Sequence, residues 1–355
     1  MNSRERILAF FNGEKVDRTP WIPLFSRTFL CSLPEYREKF PFKWWESNVS
    51  LSGNLIEEEL KFRIGFYKSI GADFMAWSGM SGFEEKIKNV KVESEKEGND
   101  LVVRYETPVG GLQMIYSGGP EYHMPYCTES LLKTDEDFEI YKYVLENTEF
   151  AVDSAKVQKV MDVLGEDGVI FSGIPDAPIH NYLYDLFGEE IFFLMLFDNE
   201  KKKILETLFD IQDRNNIEAC HLLAKLPLKT FLHQCTWDIG LISPDMYKGQ
   251  SPPFLKKYNQ ILHREEKICL DHISGQKIKL FLEGIEQAEM DGFYGFTFPA
   301  VDGDISLAEV TRRWQIKKIV PMGRLSPHFL ATSTPEEVSE MTKRILDQVK
   351  DMPFF

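Results

Sequence analysis

The sequence predicts an α/β chain that forms one (β/α)8 TIM barrel, a single domain over residues 1–355, with a β-hairpin excursion near residues 88–117. Three observations carry this. Short apolar runs recur along the chain, and the segments between most of them are long enough for a helical crossover, the mark of parallel strands covered by helices. The polar residues of interest fall at the C-terminal ends of those runs, where a barrel gathers them on one rim. No linker rich in Pro, Gly or Ser divides the chain, and no short-period repeat is present.

Taken in order, the first element is a helix: Ser3 can cap it, Ile7, Leu8, Phe10 and Phe11 give it an apolar face, and Gly13 can stop it. Strands are expected at residues 21–25 (WIPLF), 72–77 (ADFMAW), 168–173 (GVIFSG), 230–235 (TFLHQC), 268–274 (ICLDHIS), 291–297 (DGFYGFT) and 317–323 (KKIVPMG). Between 88 and 117 the apolar period changes to two, around GND and PVGG, which predicts antiparallel pairing. The last helix is signalled most fully, by Thr334 as N-cap, Pro335 at the first position and Glu337 as capping-box partner. Val338, Met341, Ile345 and Val349 share its apolar face. An eighth strand is not legible in the sequence.

The 355 residues are 43% hydrophobic and 27% charged, enough for a large core. With 56 acidic against 41 basic residues the formal charge is −15, which disfavours nucleic-acid binding through a basic face. No run approaches the length of a membrane span, and the N-terminus lacks a signal peptide's apolar region, so no membrane association and a cytoplasmic location are expected. Five scattered cysteines, with no CxxC pair, argue for reduced thiols. No GxGxxG or GxxxxGK[ST] follows a strand, which removes the dinucleotide and P-loop readings.

The candidate chemistry lies at strand ends. In FLHQCTWD (231–238), His233 and Cys235 stand two residues apart and share a strand face, while LDHISG puts His272 on the next strand. Two imidazoles and a thiolate are a reasonable three-ligand set for catalytic zinc, Zn2+, with an open fourth position. A buried barrel cysteine is equally a small apolar filler. Asp176, between two prolines in SGIPDAPIH, can orient a ligand, act as a base or simply shape a turn. His180 and Tyr182 follow it, and either can line a site, cap or pack. Trp237, directly after Cys235, fits a site wall, and Trp21, Trp77, Phe296 and Phe298 at strand ends suit a flat organic substrate, with core packing as the alternative. Arg27 and Arg324 are the rim arginines, able to hold one carboxylate or to form structural ion pairs.

Several motifs then resemble one family. SRERILAFFNGEKVDRTPWIPLF at the start, TPVGG (107–111), LISPDMY (241–247), DHISG (271–275), GDISLAEV (303–310) and LSPHFLATSTPEEV (325–338) are similar, in order and spacing, to the uroporphyrinogen decarboxylase superfamily. That resemblance implies a (β/α)8 barrel with its site on the C-terminal rim. It also implies a choice between tetrapyrrole decarboxylases and zinc-dependent methyltransferases that serve corrinoid proteins. The decarboxylases carry paired arginines after the first strand and an aspartate at the end of the second. Here FSRTFLCSLPEYREKF keeps Arg27 without the pair, and AWSGM has Ser78 and no carboxylate. The methyltransferases use His-x-Cys-Gly, of which LDHISG keeps His272 and has Ser274 for the cysteine.

The resemblance thus implies a methyltransferase that passes a methyl group from a small methylated substrate, an aryl methyl ether being one candidate, to the cobalt of a corrinoid (cobalamin-binding) partner protein. His272 and Asp176 are its candidate catalytic residues, and zinc or His272 as general acid would activate the leaving atom. His233, Cys235 and His272 are the candidate metal ligands. Arg27, Trp77, His180, Tyr182, Trp237, Phe298 and Arg324 are the candidate substrate contacts. Two alternatives stand beside it: a carboxy-lyase of a small acid working through Arg27 and Arg324, and a ligand-binding member without catalysis. Whether the chain works as a homodimer is left open.

Overall fold

In the computed structural model the described residues are 1–40, 57–76, 82–118, 126–235, 237–273, 275 and 277–350, apart from the side chains of residues 27, 28 and 185. The strands among them are β1 (Phe74–Ala76), β2 (Phe83–Ile87), β3 (Lys91–Glu97), β4 (Asp100–Thr107), β5 (Gly110–Ser117), β6 (Tyr126–Glu129), β7 (Thr148–Val152), β8 (Gly168–Gly173), β9 (Thr230–Leu232), β10 (Ile268–His272), β11 (Gly292–Thr297) and β12 (Val320–Arg324). Six of them form one parallel sheet in the order β1-β8-β9-β10-β11-β12, every neighbour reached by a crossover. This is the curled, helix-covered sheet of a barrel-like α/β fold. Among the described residues β1 and β12 are its edges, and closure into a complete barrel is not seen.

The expected strand at 21–25 is not a regular strand. Pro20 and Pro23 remove two ladder donors, and the segment bonds otherwise. The Asp73 N–H donates to the Trp21 carbonyl (2.7 Å), and the Trp21 N–H donates to Asp73 Oδ2 (3.1 Å). Tyr67 Oη donates to the Pro23 carbonyl (2.6 Å) and accepts from the Phe25 N–H (3.2 Å). Among the described residues β12 has a neighbour on one side only, which is where Pro321 is tolerated inside a strand.

Alternation along the strands separates an inner and an outer layer. Met75, Val169, Phe171, Leu232, Leu270 and Val320 point inward and meet Ile7, Phe10 and Phe11 of the helix Ser3–Phe11, which closes the floor. That helix starts on a capping box between Asn2 and Glu5, one residue before the expected cap. Arg6 anchors it to buried Asp73 (2.6 Å) at the foot of β1. Phe74, Ile170, Phe231 and Cys269, one residue out of phase, point outward to the covering helices.

The excursion is larger than a hairpin: β3-β4-β5-β6 make a four-stranded antiparallel sheet, and β2 pairs β7 in a separate ribbon. Both turns read from the sequence are there. Glu97 pairs Asp100 across Gly98-Asn99, with Gly98 supplying a φ of 62°, and Thr107 pairs Gly110 across Pro108-Val109. The last helix, Pro335–Asp347, has the expected Thr334 cap, Pro335 and Glu337 box. No described helix is long and apolar enough to cross a membrane.

Candidate functional site at the barrel mouth

The register of the sheet decides which strand-end residues reach the mouth. Leu232 pairs Leu270, Leu270 pairs Gly292, His272 pairs Tyr294, and Tyr294 pairs Met322. Residues in phase with inward Leu232 and Leu270 therefore face the mouth: Gln234, His272, Tyr294 and, two residues beyond Met322, Arg324. Gln234 is exposed, and His272, Tyr294 and Arg324 are half-buried. The His272 and Tyr294 rings stack, with centroids 5.2 Å apart. A bulge between Tyr294 and Thr297 lets β11 hold this contact and still pair with Arg324. It needs Gly295, whose φ is 102° and whose missing Cβ would lie 2.5 Å from the Ile273 carbonyl oxygen.

The charges at the mouth are arranged around His272. Burial, then the Arg324 guanidinium, push its pKa down to about 4, with the Asp176 carboxylate pulling the other way. The ring is consequently neutral at pH 7, so it is a poor general acid there and can offer a lone pair or an N–H. Burial lowers the Arg324 pKa and raises that of Tyr294. An arginine nonetheless remains a cation at neutral pH. Asp176 follows β8 and accepts the Gln234 N–H at Oδ1 (2.8 Å), which fixes its carboxylate against the end of β9. His180 Nε2 lies 3.9 Å from Asp176 Oδ2.

The proposed ligands His233 and Cys235 face the other way, and this corrects the expectation. Both are in phase with outward Phe231; His233 reaches Asn259 of the helix Pro252–His263, while Cys235 is buried in the largest core cluster with Trp237 and Tyr247. His233 is fully buried, with Nδ1 2.9 Å from the Pro175 carbonyl and Nε2 3.0 Å from Asn259 Oδ1 of that helix. Each ring nitrogen thus faces an oxygen, and burial pushes the imidazole pKa down. The buried Cys235 thiol lies 3.4 Å from Asp176 Oδ1 and also beside Asp271, and burial raises its pKa well above the ordinary value. Among the described residues His233, Cys235 and His272 do not bring one donor atom each within 4.8 Å of the others; the group that does is His263, Cys269 and Asp291. The residues expected to hold zinc at the rim do not fit it.

Asp271 belongs to the same outward set and was missed in the sequence. Its Oδ1 accepts the His272 N–H (2.8 Å). Its Oδ2 has no hydrogen-bond partner among the described residues, nor do Trp237 Nε1 and Tyr247 Oη nearby. Burial, then the charge of Asp176, raise its pKa well above the ordinary carboxylate value, which favours the neutral acid. The clue in the sequence was position alone: it precedes His272 on a strand covered on both faces.

Other expected contacts divide in the same manner. Tyr182 is not at the mouth: it is fully buried, its Oη donating to the Leu208 carbonyl (3.4 Å), inside the largest core cluster. Trp237 is also fully buried, its ring 5.0 Å from that of Tyr247 and 5.9 Å from His180, so it backs His180 instead of forming an open wall. Phe298 is buried against Phe296 and lies over Gly323, where an added Cβ would sit 2.3 Å from its ring. Trp77, Ser274 and the side chain of Arg27 lie outside the described residues.

Residues 233–354 match the family described as uroporphyrinogen decarboxylase (URO-D). No curated protein matches the chain significantly. Among solved structures, a methyltransferase from Methanosarcina mazei is similar with a TM-score of 0.59 at 14% sequence identity, covering 98% of this chain and 90% of that one. The resemblance implied by the motifs is therefore found as a uroporphyrinogen decarboxylase family match over residues 233–354, on a fold shared along nearly the whole chain with that methyltransferase.

Proposed function

We propose that the chain is a methyltransferase that takes a methyl group from a small methylated compound, such as an aryl methyl ether, for delivery to a corrinoid partner protein. The observation that carries this reading is the inward set at the open mouth: a stacked His272–Tyr294 pair beside the Arg324 cation, on a fold shared with a chain named a methyltransferase. A Co(I) corrinoid on the partner would supply the nucleophile for displacement at the methyl carbon. The C–O electron pair then stays on the leaving oxygen, and this chain must stabilise that anion. Arg324 does so electrostatically, in a half-buried place where a cation is worth more than in water. His272, neutral at pH 7, orients the leaving oxygen through an N–H; the proton that finally neutralises the product comes from solvent. The flat face of Tyr294 completes an aromatic-lined floor. No step is assigned to zinc.

The test is methyl transfer by the purified full chain to added, reduced cobalamin, with O-, N- and S-methylated compounds as donors. Loss of the Co(I) spectrum matched by the demethylated product supports the reading. If no donor of any class is consumed, the proposal fails. The second reading, a carboxy-lyase of a small acid, draws on the same Arg324, which would hold a carboxylate. Arg324-dependent release of carbon dioxide, without methyl transfer, would favour it.

A further inference from the structure

A second group of chemically competent side chains lies far from the mouth, on the outer side of the barrel floor. His263 ends the helix Pro252–His263, Cys269 is the second residue of β10, and Asp291 immediately precedes β11. Along β10, Cys269 and His272 are three residues apart, a separation of about 10 Å that puts the group outside the mouth. One donor atom from each of the three lies within 4.8 Å of the other two. His263 Nε2 is 2.9 Å from Asp291 Oδ2, which also accepts the Cys269 backbone N–H at 2.7 Å. The Cys269 side chain is fully buried, while His263 and Asp291 are each about one third exposed, at 31% and 34%. The group therefore has a sealed back and a solvent-facing front.

We infer that His263, Cys269 and Asp291 form a binding site for a thiophilic divalent cation, zinc being the best fit, that pins the foot of β10 to the foot of β11. The donor set is one imidazole nitrogen, one thiolate and one carboxylate oxygen, all accepted by zinc, with a fourth position open on the exposed side. Tetrahedral zinc at the usual bond lengths places its donors about 3.3–3.7 Å apart. The three donors reach that spacing with side-chain shifts of about 1 Å or less from their present 4.8 Å envelope. The charges also close: a divalent cation with one thiolate, one carboxylate and a neutral imidazole is neutral overall, which suits a half-buried place. A thiol must lose its proton to bind the cation, so uptake releases protons and binding tightens as pH rises.

The test uses the chelator-treated full chain titrated with Co2+ alone as a spectroscopic stand-in for zinc. One Co2+ per chain is expected, with thiolate-to-cobalt charge-transfer absorption, and with affinity increasing from mildly acidic to alkaline pH. Cys269→Ser removes that absorption, and His263→Gln weakens binding by roughly tenfold or more. His272→Ala and Asp176→Asn, at the mouth, leave both intact. A circular-dichroism melt checks each variant for folding, and Asp291→Asn replaces Cys269→Ser if the latter is unfolded. Absence of saturable binding, binding with no charge-transfer band, or a band that survives Cys269→Ser or disappears in His272→Ala overturns the assignment.

Discussion

His272 and Asp271 are adjacent on one strand, yet they live in opposite worlds. His272, in phase with Tyr294 and Arg324, faces a solvent-reaching mouth and is kept neutral by burial and a neighbouring cation. Asp271, in phase with His233 and Cys235, is fully buried, and burial and a neighbouring carboxylate push its pKa up, towards the neutral form. A rotation of one residue along a strand exchanges reactive placement for structural placement. The inward set can meet a substrate, whereas the outward set holds the strand ends and the Asp176 loop against the helices.

The largest effect that would break this contrast is on activity. Arg324→Gln is expected to cut kcat/KM for methyl transfer by roughly 100- to 1,000-fold, about 3–4 kcal/mol of transition-state stabilisation, while changing unfolding stability by no more than about 1 kcal/mol. Steady-state kinetics beside urea denaturation reads both quantities. An active variant would remove Arg324 from the chemistry.

The outward set should behave in reverse. His233→Ala leaves the Pro175 carbonyl and Asn259 without their partner and opens a buried void, for an expected loss of about 2–4 kcal/mol in unfolding free energy. Asn259 Nδ2 would still donate to the Ala288 carbonyl, so the damage should stay local to the Asp176 loop. Equilibrium unfolding of folded, purified variant protein measures it. A variant as stable as the parent would show that His233 braces nothing.

This contrast also marks how far the sequence could be read. Crossover spacing predicted the parallel sheet, and Thr334 with Glu337 predicted the last helix cap, because those signals are local. Period two assigns His233 and Cys235 to one face. Which face was not legible: Phe231 and Leu232 are both apolar, as expected of strands buried on both sides, so alternation gives no inside and outside. The strand expected at 21–25 failed because two prolines outweigh its apolar run, and the excursion grew because β6 lies beyond the alternating stretch that announced it. The floor cluster was invisible for a different reason. Its three residues are separated in sequence and meet only through the sheet register and the end of a helix.

A third effect is on the pH dependence of stability. The folded-state pKa of Asp271 lies above its unfolded value of about 4, so between the two values unfolding releases a proton and stability from this group falls as pH rises. Asp271→Asn keeps the volume and the acceptor for the His272 N–H but removes the titration. Relative to the parent, the variant should gain about 1.4 kcal/mol for each pH unit above about pH 4, up to the folded-state pKa. Denaturation midpoints collected from acid to mildly alkaline pH give the comparison. Parallel curves would mean that Asp271 is ionised in the fold.

The smallest effect is a difference between two histidines, and it tests the charge assignments directly in metal-free protein. His272 should titrate near 4 by nuclear magnetic resonance of its ring protons, because burial and Arg324 disfavour the imidazolium. His263, bonded to Asp291, should titrate above its ordinary 6.5. The two therefore act on stability with opposite sign. Below 6.5 the unfolded chain takes up a proton that folded His272 refuses, so its contribution is present above 6.5 and lost as pH falls towards about 4. The His263 contribution is present below 6.5 and lost as pH rises through its higher folded value. Arg324→Gln removes one of the forces on His272 and should move its midpoint upward while leaving His263 where it was. An unmoved His272 midpoint would place Arg324 away from the ring and dissolve the inward set as an electrostatic unit.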